Sequence, residues 1–343
     1  MLITDFNYEL PEELIAQEPL ERREGSRMLA VTRAENAWRD ERFVDLPGYL
    51  RDGDVLVLNN TRVFPARLLG EKAGAGGAGI ELFLIRETDE RIWETLARPA
   101  RRLKPGTRVL FGGGKLAAEV LEKTVEGRCV VRFETDKNFD EILEEIGKTP
   151  LPPYIKREEP KENFDRDRER YQTVFAKQRG AIAAPTAGLH FTPEILEQVK
   201  AKGVTIAEIT LHVGYGTFEP VRVSDLSEHR VAPEQCEISP ETAEILNQAK
   251  QNKRRIIAVG TTSTRALESA VSEKGEFTYG RRVANLTITP GYKFKVVDGL
   301  LTNFHLPQSS LLVLVSTFAG YDLTMRAYEH AVRSRYRFYS YGD

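Results

Sequence analysis

The sequence has few of the residues that mark secreted, metal-binding or membrane proteins. Of its 343 residues only two are cysteines, Cys129 and Cys236, which make neither a disulfide framework nor a paired metal-ligand motif. The longest apolar stretch, residues 311–318, is broken by Ser316 and Thr317 and is far shorter than the roughly 20 residues that span a bilayer. The first residues contain no basic segment followed by an apolar one. We therefore expect a cytoplasmic protein with no membrane span.

The chain also lacks a strong charge of either sign. Lys and Arg number 49 and Asp and Glu 51, so the formal net charge is −2 and the overall positive field of a dedicated nucleic-acid-binding domain is absent. Basic residues cluster locally in residues 98–108 and 326–337, and aromatic residues are interleaved with the second cluster. Because base stacking needs rings beside the charges, the second cluster is a candidate for RNA contact. The alternative for both clusters is a solvated face.

The organisation of the chain predicts two kinds of structure. Seven short apolar runs lie between residues 55 and 133 and are separated by Gly, Pro or charged turns, which is typical of a small antiparallel β-barrel or sandwich. A short helix with a polar cap is expected over residues 138–147, followed by a proline-rich linker. The later part alternates strands with helices. The predicted strands are 181–184, 204–211 and 255–259, and the predicted helices 192–203, 240–252 and 263–270.

This order predicts the fold class. Alternating β and α segments favour an α/β domain with a parallel or mixed sheet covered by helices, in which ligands bind beyond the carboxyl ends of the strands. The β-barrel would be an insertion in that domain. We expect residues 1–60 to form the first part of the α/β domain, 61–152 the inserted barrel, and 153–343 the second part.

Two glycine-rich segments are interpreted as turns. Residues 74–79 match the dinucleotide-binding pattern G-x-G-x-x-G, but a strand rather than a helix is predicted to follow, so no helix N-terminus would meet a pyrophosphate. We therefore expect a hairpin loop there, and another turn at residues 112–114.

A stronger candidate for ligand binding joins a buried strand to a helix at residues 259–268. Free N–H groups and hydroxyls at Gly260, Thr261, Thr262 and Ser263 would hold a phosphate or carboxylate, with Arg265 close by. An ordinary helix cap is the alternative. Asn60, Thr61 and Arg62, three polar residues where the barrel is predicted to begin, also suit a polar ligand, although an Asn-rich turn has the same composition.

Three of the five histidines lie in loops punctuated by Gly or Pro. His190, His212 and His305 are therefore candidates for an exposed general acid or base, although each singly is also explained by a structural role. Their spacing gives no metal-binding pattern, and no G-x-S-x-G segment supports a serine hydrolase. No metal is expected.

Together these motifs resemble the S-adenosylmethionine:tRNA ribosyltransferase-isomerase family of queuosine biosynthesis, from end to end of the chain. The segments that carry the resemblance are 5–11 (DFNYELP), 14–19 (LIAQEP), 26–29 (SRML), 58–68 (LNNTRVFPARL), 167–174 (DRERYQTV), 184–191 (APTAGLHF), 211–218 (LHVGYGTF), 259–268 (VGTTSTRALE), 289–292 (TPGY), 300–306 (LLTNFHL) and 336–343 (YRFYSYGD). The family's fold, an α/β domain interrupted by a β-barrel, is the architecture that the pattern predicts.

The resemblance implies a specific reaction. The ribosyl part of S-adenosylmethionine is transferred and isomerised onto 7-aminomethyl-7-deazaguanine at the wobble position of tRNA, which gives epoxyqueuosine and releases adenine and methionine. S-adenosylmethionine is then a co-substrate, and no cofactor is expected. We expect a monomer that binds tRNA and S-adenosylmethionine.

The resemblance also assigns residues to roles. His190, His212 and His305 are placed around the reacting ribose, with His229 and Glu234 as a further acid/base or orienting pair. Thr186 joins residues 260–263, Arg265 and residues 60–62 in binding the donor or RNA. Where the family usually has a second histidine between the last pair, this chain has Ala232, and it ends at Asp343 where members usually carry a few more apolar residues.

Three other functions remain open from the sequence. An enzyme using the same donor on a free nucleoside would bind its substrate with little salt dependence. A noncatalytic RNA-binding module would bind tRNA without turning over the donor. A structural α/β protein would leave the polar loop motifs without a role.

Overall fold

The structure, a computed structural model, describes residues 1–74, 77–124, 127–157, 162–218 and 221–343, with residues 162, 163, 217 and 218 described by backbone only. Its strands in chain order are β1 (Arg27–Thr32), β2 (Ala37–Arg42), β3 (Val55–Asn59), β4 (Thr61–Val63), β5 (Arg67–Lys72), β6 (Gly79–Asp89), β7 (Ile92–Arg98), β8 (Arg108–Phe111), β9 (Leu116–Lys123), β10 (Arg128–Glu134), β11 (Gln178–Ala181), β12 (Thr205–Leu211), β13 (Glu234–Ile238), β14 (Ile256–Val259), β15 (Gly280–Ala284) and β16 (Gly299–Leu301).

The helices of the same ranges are α1 (Leu46–Tyr49), α2 (Phe139–Ile146), α3 (Glu162–Arg170), α4 (Pro193–Ala201), α5 (Pro240–Gln251), α6 (Thr261–Ala270), α7 (Ser310–Ala319) and α8 (Tyr321–Arg333). None of them combines the length and hydrophobicity that crossing a bilayer requires.

A mixed six-stranded sheet forms the centre of the α/β part, in the order β15-β13-β12-β3-β14-β16. Strands β12, β3, β14 and β16 are mutually parallel, and β13 and β15 join antiparallel at one edge. Every residue of β3 is buried. Because successive side chains of a strand point to opposite faces, Val55 and Val57 pack with the core beneath α5 and α6, and Leu56 and Leu58 pack with α4 on the other face.

The inserted β structure is a closed antiparallel barrel with the strand order β10-β7-β6-β5-β8-β9. Alternate residues of β6, Ile80, Leu82 and Leu84, are buried and fill the interior, which is the period of two expected for a barrel strand. Helix α2 packs onto this core through Ile142 and Leu143. The fold class predicted from the sequence is thus confirmed, while the three chain segments proposed as domains stay a prediction.

The helix boundaries follow local capping. The side chain of Asn138 accepts hydrogen bonds from the backbone N–H groups of the first turn of α2, Thr192 accepts from the N–H of Ile195, and Ser239 accepts from the N–H of Thr242. Pro193 and Pro240 stand at the first positions of α4 and α5, where their missing N–H costs nothing. The predicted positions of α2, α4 and α5 are confirmed within two residues.

Other boundary predictions were wrong in part. The run 63–69 is divided into β4 and β5, because Pro65 lacks the N–H that a continuous strand needs, whereas the run 55–58 forms β3 of the central sheet, within the segment 1–60 assigned to the α/β domain. The strand predicted over 181–184 lies at β11 instead. The predicted position of α6 is confirmed within two residues, with its start at Thr261 rather than residue 263. The predicted hairpin loop at residues 74–79 joins β5 to β6, but Gly76 lies outside the described residues.

The aromatic residues near the C-terminus are mainly core residues. Tyr336 and Phe338 are completely buried and pack with the N-terminal segment and with α7 and α8. Tyr341 is buried against Tyr171 in the core of the sheet. The interpretation of this segment as an RNA-stacking surface is therefore wrong for these rings; Tyr339, in contrast, reaches the site described next.

Candidate active site

A cleft of about 580 Å³ opens at the carboxyl ends of the parallel strands, and we call it the main cleft. Because β12, β3, β14 and β16 are parallel, the loops that follow them meet at one edge of the sheet. Its polar lining comprises Thr186, Thr261, Thr262, Thr302, Asn303 and Ser340. Much of the remaining lining consists of aromatic rings and an apolar side chain, from Tyr154, Tyr171, Phe304, Leu311 and Tyr339. No described residue that lines it is an Asp, Glu, Lys or Arg.

The N-terminus of α6 contributes directly to the main cleft. Gly260 connects β14 to α6 with a φ of 94°, which favours glycine, and its N–H donates to the carbonyl of Leu301 at 2.8 Å. Thr261 and Thr262 of the first turn line the cleft. Since first-turn N–H groups have no partner within a helix and carry its positive dipole end, this position suits an anionic group. Ser263 instead is fully buried and donates its hydroxyl to the carbonyl of Val259 at 2.7 Å.

Arg265 does not reach the main cleft. Its guanidinium is buried and pairs with the buried carboxylate of Glu234 at 2.6 Å. The remaining N–H groups donate to the carbonyls of Leu286, Ala232 and Ala284 at 3.1, 3.1 and 3.4 Å. The pair ties α6 to the first residue of β13, so the guanidinium that the sequence placed near a ligand is held by protein groups in this structure.

His305 is the sequence-predicted histidine that lines the main cleft. It lies in the loop after β16, where its Nε2 is 3.0 Å from the hydroxyl of Thr302 and its backbone N–H donates to the hydroxyl of Tyr328 at 3.2 Å. Burial lowers the pKa of His305 to about 3. At neutral pH the ring is therefore uncharged and held in one orientation.

His190 lies behind the main cleft. Thr186 donates to Oδ1 of Asn303 at 2.9 Å, which orients the Asn303 amide so that its Nδ2 donates to Nε2 of His190 at 3.1 Å. The opposite ring nitrogen, Nδ1, is 2.9 Å from the hydroxyl of Ser26. Burial is the main cause that lowers the pKa of His190 to about 4. A continuous chain of hydrogen bonds thus runs from the cleft wall to His190.

The polar residues after β3 form hydrogen bonds with β12 and with His212 just beyond it. Asn60 donates to Glu208 at 3.1 Å and accepts from Thr210 at 2.7 Å, while Thr61 is completely buried with its hydroxyl 2.8 Å from Nδ1 of His212. Burial lowers the pKa of His212. Arg62 is exposed on β4. His212 itself does not line the main cleft, although the next residue, Val213, does.

His229 and Glu234 have separate partners. Nε2 of His229 is 2.7 Å from the hydroxyl of Ser310 at the start of α7, and burial is the first cause that lowers the pKa of His229. Glu234 accepts from the N–H of Gly214 at 3.1 Å in addition to Arg265. The side chain of Ala232 is exposed, and the contribution of this residue to the site is its carbonyl, which accepts from Arg265.

Several cleft residues were not singled out from the sequence. Thr302 and Asn303 stand in the same loop as His305, and Tyr339 and Ser340 in the C-terminal motif, so the resemblance already marked their segments. Tyr154 gave no signal, because it follows a proline-rich linker and reaches the cleft only through the tertiary fold. No group of three or more His, Cys, Asp and Glu side chains in the described ranges is arranged to hold a metal ion.

The two deeply buried histidines predict a loss of stability in acid. Their pKa values in the folded protein, about 4 for His190 and about 3 for His305, lie below the ordinary 6.5, so the unfolded chain binds more protons as the pH falls below 6.5. The free energy of unfolding is therefore larger above that pH and falls on acidification, by about 2 kcal/mol per histidine between about pH 7 and pH 5. The free energy of unfolding, measured with urea at about pH 7 and about pH 5, should differ less between the two pH values in His190→Gln and His305→Gln than in the unsubstituted protein. Equal differences in all three proteins would contradict this account.

Comparison with known proteins extends over the whole chain. The sequence profile of a family described as queuosine biosynthesis protein matches residues 3–343. A protein from Acetivibrio thermocellus named S-adenosylmethionine:tRNA ribosyltransferase-isomerase is 50% identical over 343 residues, covering 100% of this chain and 98% of the relative. A protein of the same name from Desulforamulus reducens is 48% identical with the same coverage. The crystal structure of S-adenosylmethionine tRNA ribosyltransferase from Thermotoga maritima is 36% identical, with a TM-score of 0.54, and the match covers 99% of this chain and 98% of that one.

Proposed function

The chain belongs to the queuosine biosynthesis protein family, and we propose that it is an S-adenosylmethionine:tRNA ribosyltransferase-isomerase. The resemblance seen in the sequence is thereby confirmed. In the proposed reaction the aminomethyl nitrogen of 7-aminomethyl-7-deazaguanine, at the wobble position of tRNA, bonds to the ribosyl group of the donor. The ribosyl group is isomerised to an epoxide-bearing ring, adenine and methionine leave, and the product is epoxyqueuosine.

The observation that carries this proposal is the main cleft with the N-terminus of α6 in its wall. S-adenosylmethionine has a carboxylate, a cationic sulfonium and a flat base. First-turn N–H groups at Thr261 and Thr262 suit the carboxylate. The aromatic rings suit the sulfonium, because the face of a ring attracts a cation. Because no described lining residue is an Asp, Glu, Lys or Arg, no ion pair with such a side chain competes with these contacts to the donor.

The aromatic lining also suits the nucleotide that accepts the ribosyl group. Tyr154 and Tyr339 have ring centroids 4.0 Å apart at the cleft wall, and both are partly exposed. A wobble nucleotide lies in a single-stranded loop, so its base leaves the stack at low cost and is recognised by stacking on such rings. We propose that the deazaguanine base enters the main cleft beside the donor.

We assign the first proton transfer to His305. The sulfonium acidifies the neighbouring ribose C–H, and removal of that proton begins the elimination of adenine. The lowered pKa keeps His305 in the uncharged form that can accept a proton. A pKa of about 3 also makes the ring a weak base, so this assignment depends on the acidity that the sulfonium gives the ribose C–H. His190, linked to the cleft through Asn303, acts as a positioning residue in this scheme.

The proposal includes no resident cofactor, because heterolytic transfer from a sulfonium donor balances without an oxidant or reductant; S-adenosylmethionine is consumed as a co-substrate. We place the activity in the cytoplasm, where tRNA is modified. The monomeric state stays a prediction.

The proposal is tested by incubating the protein with S-adenosylmethionine and tRNA that carries the aminomethyl-deazaguanine base. Mass spectrometry is expected to show adenine, methionine and the epoxyqueuosine nucleoside in equal amounts, and only when tRNA is present. An enzyme for free nucleosides would turn over without tRNA. A binding module would hold tRNA and release no adenine, and either result rejects the proposal.

A further inference from the structure

A second, smaller cavity adjoins the main cleft and is lined by two arginines. We call it the arginine pocket. Arg23 and Arg170 line it together with Ser26, His190 and Ser340. None of the described residues in its wall is an Asp or Glu. The arginine pocket thus differs from the main cleft in carrying positive charge.

The two guanidinium groups are held by backbone carbonyls rather than by carboxylates. Arg23 donates to the carbonyls of Leu189 and Glu169, both at 3.1 Å, and Arg170 donates to those of Leu20 at 2.7 Å and Glu21 at 3.1 Å. Nε of Arg170 is buried and has no hydrogen-bond partner. Since a guanidinium carries five N–H groups, each arginine keeps donors for a further ligand.

The positive charges of Arg23 and Arg170 have no acidic counter-ion among the described residues that line the pocket. Burial, followed by the proximity of Arg170, lowers the pKa of Arg23. Arg337 also lies close enough to His190 to lower its pKa, and Nη1 of Arg337 is buried without a partner. The acidic groups that interact with these arginines lie outside the lining of the pocket: Glu24 pairs with Arg22 and also interacts with Arg170, Glu169 is exposed, and the carboxylate of Asp343 accepts from the backbone N–H groups of Arg27 and Arg337. Like charges held together in a partly desolvated site favour an added anion.

The arginine pocket is continuous with the proposed reaction site. Ser340 lines both cavities, and the hydrogen bond between Asn303 of the main cleft and His190 of the pocket crosses the wall between them. An anion in the pocket would therefore lie next to whatever occupies the cleft.

We propose that the arginine pocket binds a phosphate of the tRNA backbone, adjacent to the nucleotide that is modified in the main cleft. This inference rests on the proposed function. The planar fork of N–H groups in arginine matches phosphate oxygens, and two arginines on one small cavity favour a phosphodiester over a single hydroxyl or amide. The donor's carboxylate already has a matching site at the start of α6. The phosphate would fix the register of the anticodon loop relative to His305 and the aromatic rings.

The test compares Arg170→Gln and Arg23→Gln with the control Arg51→Gln, which removes the same charge from an exposed turn. The affinity for unmodified tRNA is measured by fluorescence anisotropy over a range of salt concentrations. Each pocket variant is expected to bind tRNA about tenfold more weakly, and the slope of log K against log salt is expected to fall by about 0.7, the value for one lost single-strand phosphate contact. The control should match the unsubstituted protein, as should the affinity of all variants for S-adenosylmethionine.

Inorganic phosphate serves as a second probe that needs no RNA and no turnover. Phosphate, compared with chloride at equal ionic strength, is expected to raise the Tm of the unsubstituted protein and of Arg170→Lys, which keeps the charge, but not of Arg170→Gln. Normal folding of Arg170→Gln with an unchanged tRNA salt slope would mean that the arginines only join the C-terminus of α3 to the N-terminal segment, through the carbonyls that they bind. Weakened S-adenosylmethionine binding would assign the pocket to the donor. Either result overturns the inference. Turnover by the unsubstituted protein, measured separately, decides the proposed function.

Discussion

Replacing His305 by Ala is expected to lower kcat at least about a hundredfold, which is the lower range for loss of a general base. His305 lines the main cleft, its ring is fixed by the hydroxyl of Thr302, and burial keeps it uncharged. The proton to be removed is acidified only by the donor's sulfonium, so the reaction depends on a correctly placed acceptor. The dissociation constant of S-adenosylmethionine should change much less than kcat, because the contacts proposed for the carboxylate and the base lie elsewhere in the cleft.

A matched control is His330→Ala. His330 lies on α8, contacts Asp40 at 2.9 Å and is not among the residues that line the main cleft. This variant is expected to keep near-normal kcat. His190→Ala should also reduce kcat, because it removes the hydrogen bond that helps to hold Asn303 in the cleft wall. The decrease in kcat should be smaller than for His305→Ala. Near-normal turnover of folded His305→Ala would remove this residue from the mechanism.

The largest loss of stability is expected from breaking the buried pair of Arg265 and Glu234. Both side chains are 5% exposed, and the pair joins α6 to the start of β13. Arg265→Met leaves the Glu234 carboxylate buried beside an uncharged side chain, and Glu234→Gln leaves the guanidinium without its counter-ion. Each is expected to lower the free energy of unfolding by about 3–5 kcal/mol, measured by urea denaturation at neutral pH.

The control for this prediction is Arg281→Met. Arg281 pairs with Glu237 at 3.0 Å, but its side chain is 85% exposed and water screens the interaction. Its loss should change the free energy of unfolding by less than about 1 kcal/mol. Similar effects of Arg265→Met and Arg281→Met would show that the buried pair contributes no more than a surface one.

Much of the fold follows from local patterns in the sequence. The alternation of apolar residues predicted the barrel strands, and Asn138, Thr192 and Ser239 marked helix starts because each places a side-chain acceptor at the first turn. The run at residues 55–58 was predicted as a strand, but the strands that pair with it were not. Its partners, β12 and β14, are far away in the chain, and no local pattern records which sheet a strand joins.

The site was only partly predictable for a related reason. Polar loop residues at the carboxyl ends of strands were singled out from the sequence as a group, and five of them, Thr186, Gly260, Thr261, Thr262 and His305, line one cleft in the structure. The sequence could not distinguish these from Asn60, Thr61 and Arg265, whose polar atoms are taken up by neighbouring groups. Hydrogen bonds between distant segments decide whether a polar side chain is available to a ligand.

The most direct test of the central claim is a crystal structure of the protein with S-adenosylmethionine. The account predicts that the donor lies in the main cleft, with its carboxylate at the N–H groups of Thr261 and Thr262 and its ribose against His305. A donor bound outside the main cleft, on the barrel or in the arginine pocket, would contradict it.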